Sequence, residues 1–126
     1  MMLHSFRRDV RGVTAVEFAV TAPVFFLMIF GIIEAGLLLW TQLGLQHGVE
    51  LAARCATVNT TLCNNVSSIQ NYASQQSFGL NPSPGTFTSS TAACGNQVTA
   101  SYTFEFITFL FPMPSIALNA QACFPR

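Results

Sequence analysis

Residues 18–40 form one apolar run whose only charged side chain is Glu34. As a helix at roughly 1.5 Å per residue it is about 34 Å long, enough to cross a hydrocarbon core of about 30 Å. This constrains the chain more than any other feature, because a segment in lipid must satisfy its backbone internally and so must be helical. Arg7, Arg8 and Arg11 lie just before the run, and no basic residue follows until Arg54. The positive-inside rule then puts the N-terminus in the cytoplasm and the rest outside, with Trp40 as an aromatic anchor at the outer interface. A cleaved secretory signal fits less well. Its apolar core runs about 7–15 residues, and Trp40-Thr41-Gln42-Leu43 offers no small-x-small cut site. Pro23 removes one helix hydrogen bond and predicts a kink or one opened turn.

Three regions follow: a basic leader over 1–12, one long helix over 13–58, and a small extracytoplasmic region over 59–126 rich in Ser, Thr, Asn and Gln. The fold class is α+β. Beyond the membrane, Gln42, Gln46, Glu50 and Arg54 recur as a polar helical stripe, with Glu50 and Arg54 spaced for an ion pair. Leu45, Val49 and Ala53 form an apolar stripe beside it. Gly44, Gly48, Ala52 and Ala56 form a third stripe of small residues, and Gly31 and Ala35 repeat that spacing in the membrane run. Small residues four apart let another backbone approach closely, which predicts close helix packing.

Past the long helix, Val66, Ile69, Tyr72 and Ala73 space as a short amphipathic helix, with Gly79 as its stop. Asn81-Pro82-Ser83-Pro84-Gly85 is a turn. Residues 97–106 alternate, with Val98, Ala100, Tyr102, Phe104 and Phe106 on one face, and predict a half-buried strand. Ile116, Leu118, Ala120 and Ala122 repeat the pattern, so an antiparallel hairpin is expected. Its connection, Phe109-Leu110-Phe111-Pro112-Met113-Pro114, is apolar enough to bury against the helix, a partner or the membrane. A third strand over 86–93 has a weaker signal.

Cys55, Cys63, Cys94 and Cys123 all follow the membrane run, which fits two disulfides in an oxidising compartment. Of the three connectivities, Cys55–Cys63 and Cys94–Cys123 are favoured: the first closes a short loop, the second ties a strand end to the C-terminus. A zinc site is the weaker reading, for want of CxxC spacing or a nearby histidine.

Only 8% of the 126 residues are charged, against about 25% in ordinary soluble domains, and there is no lysine. No basic face for nucleic acid can be assembled. Residues 59–126 hold one acid, Glu105, and one base, Arg126, without histidine, lysine or aspartate. A nucleophile there has no general base, and no paired carboxylates, metal cluster or phosphate loop occur. His4 lies in the leader, and a lone His47 on a helix reads as a packing or surface residue. Catalysis, cofactors and small-molecule substrates are therefore not expected.

Glu17 stands one turn beyond Gly12-Val13 at the mouth of the apolar run. A boundary carboxylate can simply reach to cytoplasmic headgroups. The alternative is a cut after Gly12, which exposes an α-amine at Val13 as a counter-ion for Glu17, in the same chain or a neighbour. Glycine before that bond lets the backbone extend into a protease. Glu34 must be neutral or face a polar group, and so should face protein.

Several segments together resemble the TadE-like family, minor pseudopilins of the tight-adherence (Flp) pilus system. They are Gly12, Ala15-Val16-Glu17-Phe18-Ala19, Pro23, Phe30-Gly31-Ile32-Ile33-Glu34, Trp40 and Leu51-Ala52-Ala53-Arg54. The resemblance implies a pilin-like architecture, cleavage between Gly12 and Val13 by a prepilin peptidase, and Glu17 and Phe18 as the assembly end. It also implies partners among other pilins, pseudopilins and Tad inner-membrane assembly proteins, with a single pass through the bacterial inner membrane. Val13 is bulkier than the small residue expected after such a cut. The rival is an uncleaved single-pass protein whose outer region binds another envelope or secretion component.

Overall fold

The computed structural model describes residues 10–107 and 115–126. The first helix, α1, runs Val10–Val58 without a break at Pro23. It starts three residues before the expected 13, so Gly12, expected in the leader, lies inside its first turns. Its N-terminal half is apolar on all sides, and the helix is long and apolar enough to cross a membrane.

The side chains of residues 12–33 are all exposed or half-buried. Burial begins at Glu34 and continues through Thr41, Leu45, Val49, Ala52 and Cys55. From Thr41 on these positions recur every three or four residues, the spacing of one helix face against a core. The lower half of α1 is thus a free rod and the upper half is the spine of a head.

The second helix, α2 (Val66–Gln75), starts at a capping box: Asn65 accepts from the Ser68 amide and Ser68 Oγ accepts from the Asn65 amide. Ile69 and Ala73 are buried as the spacing predicts. The helix ends four residues before Gly79, which lies instead in a left-handed turn at φ +76° with Phe78 (φ 49°) and Asn81 (φ 42°) nearby. A 3-10 turn at Pro84–Thr86 leads into the sheet.

Three antiparallel strands follow in the order β1 (Phe87–Ala92), β2 (Gly95–Phe104) and β3 (Ile116–Phe124). The weakly signalled third strand is therefore real. The strand expected over 97–106 is shifted two residues toward the N-terminus, because Ala92 pairs with Gly95 across a two-residue turn. Phe106 leaves the ladder yet still meets Phe104 edge-on, with ring centroids 5.3 Å apart. The inward face is the expected one: Val98, Ala100 and Phe104 meet Leu118, Ala120 and Phe87 over α1. The apolar connection at 109–114 lies outside the described residues.

The predicted disulfides are present, with Cα–Cα distances of 5.8 Å for Cys55–Cys63 and 6.2 Å for Cys94–Cys123. Each is worth about 2–4 kcal/mol in a small domain. The first folds the chain back over the last turn of α1, and the second joins the β1–β2 turn to the end of β3.

The polar stripe does not do what its spacing suggested. Glu50 accepts from Gln46 Nε2 at 2.8 Å, and no ion pair with Arg54 forms. Gln42 Nε2 donates to the Asn119 carbonyl at 2.9 Å and Gln46 Nε2 to the Gln121 carbonyl at 3.4 Å. The stripe covers the free edge of β3, whose unpaired carbonyls would otherwise invite another strand.

Candidate processing and assembly site

The expected site residues divide into two groups along α1. Gly12, Val13, Glu17 and Phe18 lie on the free rod, with Val13 63% and Phe18 69% exposed. Val13 and Glu17 are one helical turn apart, so the backbone nitrogen of Val13 and the Glu17 side chain share a face, and a helical side chain leans toward the N-terminus. Thr21 Oγ1 donates to the Glu17 carbonyl at 2.9 Å, a backbone contact two residues before Pro23. A Cβ added at Gly12 would meet nothing within 4 Å, so packing does not require glycine there.

The small residues do not act as one group. Gly44, Gly48 and Ala52 are buried inside the head. A Cβ on Gly48 would sit 2.5 Å from Ser77 Oγ and 2.7 Å from the Ala73 carbonyl oxygen, and one on Gly44 would lie 3.0 Å from the Ser77 carbonyl oxygen. Their close approach is to the C-terminal end of α2 in the same chain. Gly31 has open space beside it and Ala35 is exposed. His47 is a packing residue: Nδ1 meets the Gln76 carbonyl at 2.8 Å and the ring stacks on Phe78 at 4.3 Å. Trp40 also packs on Phe78, with centroids 5.7 Å apart.

Glu34 faces protein. It is 7% exposed, and Oε1 accepts the Ile107 amide at 2.9 Å. This bond ties the end of β2 to the top of the free rod, and nothing in the sequence marked Ile107, because the donor is a backbone group. Glu34→Leu removes the acceptor and leaves the Ile107 N–H without it, a change expected to cost about 1–3 kcal/mol. Glu34→Gln keeps an acceptor and should stay near the parent. Urea unfolding of the head, with hydrogen exchange at the Ile107 amide, checks this; equal stability of the two variants would contradict the anchor. Among the described residues no three His, Cys, Asp or Glu side chains converge as metal ligands.

Residues 12–54 match the sequence model of a family described as TadE-like protein. Over that stretch the first helix is similar to this family. No curated protein and no solved structure matches the chain. The TadE-like region starts at the glycine of the expected cut and stops four residues before α1 ends, so the disulfide-linked head lies beyond it. It contains Glu17, Phe18, Pro23 and Glu34, and with the apolar rod it supports a membrane protein associated with a Tad pilus.

Proposed function

We propose that this chain is a pseudopilin-like structural component of Tad pilus assembly. It inserts in the bacterial inner membrane with its N-terminus in the cytoplasm and its head in the periplasm, and a prepilin peptidase cuts it between Gly12 and Val13. The observation that carries the reading is the placement of Gly12, Val13 and Glu17 on a bare apolar rod within the TadE-like match. The cut removes Arg7, Arg8, Asp9 and Arg11 and leaves an α-amine one turn from Glu17. Among packed helices, the Glu17 carboxylate of one subunit then pairs with the amine of the next. Removing one partner of such a buried pair costs about 3–5 kcal/mol, enough to set subunit register.

Glu17→Ala should leave membrane insertion and head folding unchanged, since Glu17 lies on the rod far below the head. It should sharply reduce pili on the cell surface and co-purification with other pilins. Glu17→Asp should recover part of the loss. Normal piliation in Glu17→Ala would reduce Glu17 to a boundary residue.

One observation favours the uncleaved alternative. The helix runs through the Gly12–Val13 bond, and a peptidase needs that bond extended. The bond lies within the first turns, however, where helices fray readily.

A further inference from the structure

The chain carries its own ruler along α1. Asn96 Nδ2, near the start of β2, donates to the Ala56 carbonyl at 3.1 Å, and Ile107, just past its end, donates to Glu34. β2 therefore descends α1 toward the rod while β3 climbs back, with Asn119 at the level of Gln42 and Gln121 at that of Gln46. The lower end of the β2–β3 pair lies beside Glu34, about six residues or 9 Å below Trp40.

That end is apolar and exposed: Ile107 is 69% and Ile116 41% open, and on the rod Ile32 is 67% and Ile33 51% open. Apolar side chains are thus exposed on the rod and on the sheet end alike at the level of Glu34. Glu34 does not interrupt them, because its carboxylate is turned inward onto the Ile107 amide. Glu105, two residues up the chain and just past the end of β2, is an exposed carboxylic side chain that hydrocarbon does not accommodate, so hydrocarbon has to stop below it.

We propose that the lower end of the β2–β3 pair, through Ile107 and Ile116, seats in the outer interface of the phospholipid bilayer and fixes the membrane boundary at the level of Glu34. The occupant is lipid because this end of the sheet is tied through Glu34 to the helix long and apolar enough to cross a membrane. Trp40 then lies above the hydrocarbon, packed on Phe78, and not at its edge. Glu17, seventeen residues below Glu34, falls about 26 Å lower, at the inner edge of the same core. The two carboxylates bracket the bilayer, and the head cannot sink or tilt freely. The proposal rests on the reading of α1 as membrane-spanning.

Trp40 is the only tryptophan, which makes depth readable by fluorescence. The full chain is reconstituted in phosphatidylethanolamine–phosphatidylglycerol vesicles whose acyl chains are brominated. Single reporters Met28→Trp, Ile107→Trp and Ile116→Trp are placed in a Trp40→Phe background, and the unsubstituted chain reports on Trp40. All three reporters should lose most of their emission, and Trp40 should lose little. If Ile107→Trp fails to form both disulfides, Ile116→Trp reads the same level from the neighbouring strand. Hairpin reporters that keep their emission overturn the proposal, whether iodide reaches them from water or they are shielded by protein. Strong quenching of Trp40 overturns the boundary at Glu34. An unquenched Met28→Trp sinks the membrane reading itself and the proposal with it.

Discussion

Gly48→Val should unfold the head while leaving the membrane rod helical. A Cβ at Gly48 already overlaps Ser77 Oγ and the Ala73 carbonyl, and Ser77 is fully buried with its hydroxyl donating to that carbonyl at 2.7 Å. Two further methyl groups must push the end of α2 off α1 and break this hydrogen bond. Overpacking of a tight core typically costs about 1–3 kcal/mol, and an orphaned buried hydroxyl about as much again. A loss of roughly 3 kcal/mol or more is a large share of the stability of a small domain. Gly48→Ala should lose less, because a better helix residue returns up to about 1 kcal/mol. Gly31→Val, where a Cβ meets nothing, is the control and should barely move the urea midpoint. Equal protease resistance of the heads in Gly48→Val and Gly31→Val would show that the glycine is not there for packing.

Gly12 is the opposite case, and its substitution should have the largest effect on function. No neighbour crowds it, so leucine fits and should strengthen the first turns by up to about 1 kcal/mol. If glycine served the fold, Gly12→Leu would be neutral or stabilising. If it lets the chain extend into a peptidase, the same change should leave the leader attached and abolish incorporation into pili. Insertion should be unaffected, because Arg7, Arg8 and Arg11 remain. The measurement is the fraction of protein carrying the leader, with surface pili counted alongside. Full processing of Gly12→Leu would remove the reason for a glycine at this position.

Patterns with a period were legible in the sequence, and contacts between elements were not. The apolar face of β2 and β3 followed from alternation, and α2 from Val66, Ile69 and Ala73, since one buried face writes itself into a repeat. Cys94–Cys123 could be read because β2 and β3 had to be neighbours. The use of the Gly44–Gly48–Ala52 stripe could not: the spacing says that something comes close, and the something proved to be Ser77 on the same chain. Gln42 and Gln46 read only as part of a polar stripe, because nothing in their spacing records that β3 leaves its edge carbonyls beside them. Glu34 announced a partner without naming it, since a backbone amide leaves no mark in a sequence. At the assembly end the motif was plain from Gly12 to Phe18, but the reach of the helix back to Val10 was not.

The central claim is that Gly12 and Glu17 form a processing and docking end. Its most direct test is the N-terminal residue of the mature protein, read by intact mass and N-terminal sequencing in strains with and without prepilin peptidase. The account predicts Val13 where the peptidase is present and the unprocessed chain where it is absent. The same N-terminus at Met1 in both strains would contradict it.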